Sequence, residues 1–175
     1  MAPSKHPLLI INTGKGKGKT TAAVGLTIRA VGNGQRAAFI QFIKGSNRPG
    51  EVRFLSELDS VDLFIFGHGM ITKSSNIEED IEAAREGWEK TCALIAEKKY
   101  DLIVLDELTY LVKYNVLTAQ QVLEAMAPAR GRTTFVITGR DASPELIEAA
   151  NLVTEMKNIK HPFASGIKAQ QGIEF

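Results

Sequence analysis

The sequence predicts an α/β domain of three layers, with helices on both faces of a mainly parallel central sheet. Three observations predict it. Six short apolar runs, at residues 8–12, 37–43, 61–66, 102–106, 133–138 and 152–156, alternate with stretches of helical periodicity. Most of these runs are continuously β-branched or aromatic, as strands covered on both faces are. The first run leads into Gly14-Lys15-Gly16-Lys17-Gly18-Lys19-Thr20-Thr21, a glycine-rich turn that opens a helix-forming stretch. Strand, glycine turn and helix in that order make a phosphate cradle.

Each element has a local reason. The run at 8–12 is a buried strand, and the helix after the turn extends over residues 20–31 until Gly32-Asn33-Gly34 stops it. Asn76 with Glu79 makes the capping box expected for a helix reaching about residue 98, with Ile77, Ile81, Ala84, Trp88, Cys92 and Ile95 on one side. Glu78-Glu79-Asp80 reads as a solvated first turn favoured by the helix dipole. Ser143-Pro144-Glu145 supplies the cap, first-turn proline and first-turn acid of another helix. No repeat, low-complexity tract or linker interrupts the 175 residues, so residues 1–175 are expected to form one domain. Ligands of such sheets bind beyond the carboxyl ends of the strands.

Composition narrows the function. A net charge of +1 provides no global field toward DNA or a membrane, so the basic loop is a local feature and nucleic-acid binding is disfavoured. Cys92 is the only cysteine, which excludes an intramolecular disulfide and a thiolate zinc site. Residues 1–7 lack the apolar core of a signal peptide and no later stretch has the length of a membrane span, so a cytoplasmic location is expected. His6, His68 and His161 are isolated in sequence and read as surface or loop residues rather than metal ligands.

The chemistry concentrates in three segments. In the first, glycines at 14, 16 and 18 let backbone N–H groups approach phosphate oxygens. Lys19 reaches a terminal phosphate and the Thr20 hydroxyl ligates Mg²⁺. The usual pattern has a glycine five residues before Gly18, where this chain has Thr13. In the second, Leu102-Ile103-Val104-Leu105-Asp106-Glu107, a strand delivers two carboxylates. They suit a phosphate-bound Mg²⁺ or the cap of a following helix; coupled to the loop they point to a nucleoside triphosphate with magnesium. In the third, Ile137-Thr138-Gly139-Arg140-Asp141, Arg140 faces ligand phosphate or ribose, or pairs with Asp141. Residues 157–172 show little periodicity and read as either a lid or a strapped-down terminus.

These residues resemble one family. Residues 12–23, Arg29-Ala30-Val31-Gly32 and Gln41-Phe42-Ile43-Lys44-Gly45 are similar to the ATP:cob(I)alamin adenosyltransferases that act on corrinoids. So are Val104-Leu105-Asp106-Glu107-Leu108-Thr109-Tyr110, Ile137-Thr138-Gly139-Arg140, His161-Pro162-Phe163, Gly166-Ile167-Lys168-Ala169-Gln170 and Gly172-Ile173-Glu174, in order over nearly the whole chain. The resemblance implies a RecA-like P-loop fold, a homodimer, and transfer of the 5′-deoxyadenosyl group of ATP to Co(I) of a reduced corrinoid with release of triphosphate. It also implies an electron-donating reductase, such as a flavoprotein, as partner. Carried over by position, Gly14, Lys15, Gly16, Lys17, Gly18, Lys19, Thr20 and Thr21 bind the triphosphate. Thr20 and Glu107 hold the metal with Asp106 in support, Lys19, Thr20 and Glu107 carry catalysis, and Arg29 and Arg140 lie near the nucleotide. The other readings are a P-loop hydrolase or kinase with an unrelated substrate and a non-catalytic regulator that binds ATP and corrinoid. This chain departs from the family at Gly69-Met70-Ile71-Thr72, where relatives carry Gly-Phe-Thr-Trp, and in having seven residues before the first strand, where some relatives carry a longer segment.

Overall fold

The computed structural model describes residues 6–43, 49–67 and 77–174. Their architecture is an α/β sandwich around a six-stranded sheet of order β3-β2-β4-β5-β1-β6. The strands are β1 (Leu9–Thr13), β2 (Ala37–Gln41), β3 (Val61–Ile65), β4 (Leu102–Asp106), β5 (Thr134–Thr138) and β6 (Leu152–Glu155), and every pairing between them is parallel. The helices are α1 (Lys19–Gly32), α2 (Gly50–Leu55), α3 (Ile77–Glu97), α4 (Leu108–Lys113), α5 (Ala119–Met126) and α6 (Pro144–Ala149).

The unbroken apolar runs have the predicted cause. In β1, β2 and β4 every residue is buried. Alternate side chains feed two separate cores: Leu9, Ile11, Ile103, Leu105, Phe135 and Ile137 join one, and Ile10, Leu102, Val104 and Val136 join the other. The first core is closed by residues of α3, α4, α5 and α6, and the second by Ala23 of α1 and Leu55 of α2. A strand with two dry faces cannot alternate in polarity. The two edge strands are the exceptions: β6 has all four residues exposed, and β3 is buried at Val61 alone.

Two local expectations change. The run at 37–43 leaves the ladder after Gln41, because Phe42 and Ile43 turn into the core instead of continuing the strand. Asp80 is not solvated but 3% exposed, on the face of α3 that one turn later buries Ala84. Trp88 is half-buried against the first core, as its place on the apolar face predicts. The capping residue Asn76 lies outside the described residues, whereas the Ser143 cap is present, its Oγ accepting from Leu146 N–H at 3.4 Å. The strand order, the flanking helices and the loop between β1 and α1 make this a three-layer, RecA-like P-loop fold.

Candidate active site

The site gathers at the carboxyl ends of β1, β4 and β5, where a parallel sheet presents its ligand crevice. The turn from Gly14 to Gly18 joins β1 to α1 and takes left-handed backbone at both ends, with φ of 97° at Gly14 and 111° at Gly18. Its glycines have a second cause that local sequence does not carry. Gly16 N–H donates to Met156 O at 2.6 Å, and Met156 N–H donates to Thr13 O at 2.8 Å, so the chain leaving β6 packs directly on the loop. A Cβ at Gly16 would stand 2.6 Å from that carbonyl oxygen and 2.8 Å from the Lys157 backbone. Glycine at these alternate positions is what allows the two backbones to meet.

Lys19 points back into the loop. Its Nζ donates to Gly14 O at 2.8 Å and to Gly16 O at 2.7 Å, and the residue is 8% exposed. Burial lowers its pKa from the ordinary lysine value; Arg140 pushes the same way, and Glu107 and Asp106 push against it. The ammonium therefore sits in the combined field of all three.

Asp106, at the end of β4, is fully buried and hydrogen-bonded from three elements. Thr20 Oγ1 donates to its Oδ1 at 2.9 Å, Thr138 Oγ1 to the same oxygen at 2.7 Å, and Gln41 Nε2 to Oδ2 at 3.1 Å. The Thr138 hydroxyl also accepts from Glu107 N–H at 3.0 Å, so one side chain of β5 holds both acidic positions. Glu107 caps α4 with φ of 65°, a left-handed conformation that strains a residue with a side chain by about 1–2 kcal/mol. Of the two roles left open for the acids, the helix-opening one is present in the backbone, with Glu107 at the N-cap position of α4 and no hydrogen bond from its side chain to that helix end. Gly139 has φ of 135°, and a Cβ there would collide with Thr109 Oγ1, whose hydroxyl donates to Arg140 O at 2.8 Å. Asp141 pairs with Lys113 at 2.5 Å, and Arg140 lines the cavity.

The cavity holds about 1010 Å³. Gly16, Lys17, Gly18, Lys15, Lys19, Thr20, Thr21, Glu107 and Arg140 line it, which unites nearly every residue singled out from sequence. Asp106 lies behind Thr20 at hydrogen-bond distance, and Gly14 lies beneath Lys19 in the same way. Arg29 stands apart from these: it is exposed in the last turn of α1, outside the cavity lining, because a 14-residue helix carries its tail away from the loop that opens it. Lys17 is also differently engaged, since its Nζ donates to Ile173 O at 2.7 Å and pairs with Glu174 at 2.7 Å. Of the two readings of the tail, strapped-down fits this contact.

Sequence reasoning missed Tyr110, Glu51, Asn158, His161 and Phe163 on the lining. Tyr110 stacks on Tyr114 with ring centroids 5.9 Å apart, and burial raises its pKa above the ordinary tyrosine value. It follows Glu107 by one turn, a spacing that could have found it; the residues of the C-terminal segment carry no such local sign. Met70 and Thr72 lie outside the described residues, as do Lys44 and Gly45. Among the described residues no group of three or more His, Cys, Asp or Glu forms a metal cage, and no helix is long and apolar enough to cross a membrane.

Residues 5–175 match the family model described as ATP:corrinoid adenosyltransferase BtuR/CobO/CobP. The chain is 39% identical over 174 residues to a corrinoid adenosyltransferase of Escherichia coli K12, covering 99% of this chain and 88% of that protein. It is 40% identical over 171 residues to a corrinoid adenosyltransferase of a Sinorhizobium species, covering 96% and 80%. Against corrinoid adenosyltransferase CobA of Salmonella typhimurium LT2 the identity is 38% over 174 residues, covering 99% and 88%. In architecture the chain is similar to the crystal structure of flagellar accessory protein FlaH from Methanocaldococcus jannaschii, with a TM-score of 0.58 at 10% identity over 86% of this chain and 70% of that one. That likeness speaks to fold alone.

Proposed function

Because this chain belongs to the ATP:corrinoid adenosyltransferase family, we propose that the loop end of its cavity holds the triphosphate of ATP as a leaving group. The protein is an ATP:corrinoid adenosyltransferase of adenosylcobalamin synthesis, with ATP and a corrinoid as substrates. The observation that carries the assignment of the site is Lys19, a buried ammonium resting on two carbonyls of its own loop beside Glu107, Asp106 and Arg140.

In the reaction, the electron pair of Co(I) forms a bond to C5′ of ATP, the C5′–O bond breaks, and its electrons leave with the triphosphate. The electrophile is carbon, so negative charge grows on the oxygen that joins C5′ to the α-phosphate. The residues of this chain stabilise that charge instead of moving protons. The loop N–H groups and Lys19 meet the phosphates, Lys15 and Arg140 add positive charge from the rim of the cavity, and Thr21 lines the same end. Lys17 divides its role with the tail segment it holds.

The donor set fits magnesium. Thr20 Oγ1 stands 2.9 Å from Asp106 Oδ1, and Glu107 lines the same opening, an all-oxygen set with few protein ligands. Mg²⁺ takes one or two protein ligands and completes its shell with phosphate oxygens and water. Thr20 and Glu107 would hold it, with Asp106 fixing Thr20. The ion, when bound, neutralises phosphate charge. We further assign one domain over residues 1–175, a homodimer, an electron-donating reductase such as a flavoprotein, and a cytoplasmic location. The single domain and the location follow from the uninterrupted chain and its composition, the homodimer and the reductase from the family resemblance.

The test is anaerobic incubation with ATP, Mg²⁺ and chemically reduced cobalamin. A light-sensitive alkylcobalamin spectrum should develop with one triphosphate released per adenosyl group transferred. Orthophosphate or ADP as the sole product would overturn the assignment in favour of phosphoryl chemistry.

A further inference from the structure

We infer that Phe163 determines specificity for the corrinoid, as an apolar contact at the cavity mouth against which the macrocycle lies. Phe163 is 79% exposed and yet lines the substrate cavity, together with Ala164 and with Ile173, itself 67% exposed. It sits on a single 3₁₀ turn, Pro162–Ser165, that is braced at both ends. Phe163 N–H donates to His161 Nδ1 at 3.2 Å. At the other end Gly166 N–H donates to Phe163 O at 3.0 Å and Ile167 N–H to Pro162 O at 3.2 Å. A large aromatic side chain is thereby held out toward solvent on a fixed backbone.

The rest of the lining says what it meets. The lysines, the hydroxyls of Thr20 and Thr21, and Arg140 gather at the loop end, where the triphosphate goes, while the C-terminal segment brings Phe163, Ala164 and Ile173 beside the polar Asn158, His161 and Glu174, the last of these paired with Lys17. The cavity of about 1010 Å³ lies at the top of the range of about 300–1,000 Å³ for small-molecule sites. It therefore has room for a second reactant, and this reaction needs both at once because cobalt must reach C5′. A platform for adenine would lie deep, since nucleotide-sized ligands are buried by about 70–90%. A ring at the rim suits a broad, largely apolar macrocycle laid across the opening. His161 acts through Phe163 and is a positioning residue. The inference rests on the corrinoid being the second substrate.

The test measures cob(II)alamin binding by visible absorbance with ATP present, and KM for each substrate with chemically reduced cobalamin. Phe163→Ala should weaken corrinoid binding about tenfold and Phe163→Leu about threefold, in proportion to apolar surface lost. KM for ATP should stay within about twofold, and molecular mass in solution should not change. His161→Ala should move corrinoid affinity in the same direction and His161→Asn, which keeps an acceptor, should restore it. Unchanged corrinoid affinity in Phe163→Ala overturns the inference. So does an equal rise in KM for ATP, which would give the ring to the base. A fall in mass with corrinoid affinity intact also overturns it, because the ring would then belong to a contact between copies. Binding needs no transfer, so Phe163-dependent affinity without a Co–C bond would refute the transfer reading and leave this one standing.

Discussion

Gly16→Ala isolates the contact between the phosphate loop and the chain leaving β6. Gly16 is not among the residues with positive φ, so alanine meets no conformational strain there and the added methyl is the whole perturbation. That methyl would stand 2.6 Å from Met156 O and 2.8 Å from Lys157 C and O, all backbone atoms. To reach the ordinary contact limit of 3.4 Å, the loop or residues 156–157 must move 0.8 Å, the difference between 3.4 and 2.6. The movement stretches the Gly16 N–H bond to Met156 O, worth about 1 kcal/mol, and adds overpacking strain of about 1–3 kcal/mol. We expect a net loss of about 2 kcal/mol, or roughly 4–8 °C in Tm for a chain of this size. Calorimetry measures it, with KM for ATP followed in parallel and expected to rise about tenfold or more as the cradle shifts. Gly25→Ala is the internal control. Gly25 lies in α1 with nothing within 4 Å of an added Cβ, so it should gain about 0.5–1 kcal/mol. If both variants shift Tm by the same amount and sign, the reasoning from close approach is wrong.

Lys19→Ala should lower kcat/KM for ATP by about 100-fold or more while circular dichroism stays native, and near-normal turnover would remove the loop lysine from the reaction. Thr138→Val deletes the hydroxyl that bridges Asp106 and Glu107 N–H, so it should cost about 1–3 kcal/mol in urea unfolding and raise the Mg²⁺ concentration for half-maximal activity; an unchanged midpoint would refute the bridge. Asp62 gives a pH signature far from the site. Burial pushes its pKa up, but hydrogen bonds from Tyr100 and Arg36 outweigh this and hold it below the usual carboxylate range. The folded state therefore binds this proton less readily than the unfolded chain. The stability it lends is complete above the unfolded value of about 4 and drains as pH falls through the lower folded value. Asp62→Asn should be less stable at neutral pH and show a flatter acid limb in Tm against pH; parallel limbs would refute the assignment.

The sequence revealed most where burial is two-sided and local. Unbroken apolar runs located β1, β2 and β4 because both of their faces are dry, and the loop after β1 announced the nucleotide end. Helices α2 and α4 are six residues each and α5 eight, too short to print a helical period against their surroundings. Phe42 and Ile43 extended an apparent strand because apolarity reports burial, and a residue can stay in the core after leaving the ladder. Asp80 looked like a first-turn acid and is buried, a tertiary fact with no local trace. The alternation of glycine with lysine in the loop was visible, but half of its cause, Met156 pressed against the glycines, lies far along the chain.

That distance bears on how the molecule is made. The floor of the phosphate cradle is encoded near the start of the chain, whereas its cover is encoded near residue 156 and its tie at Lys17 joins a carbonyl 156 positions away. A nascent chain synthesised as far as β5 already carries the complete lysine-glycine signature, but nothing yet presses on it. Closing so long a loop adds little to the entropy of ordering, which grows only logarithmically with length, yet the cradle cannot be completed until residues 156–173 have been made. A complete cradle therefore requires the far end of the polypeptide to have docked on the loop.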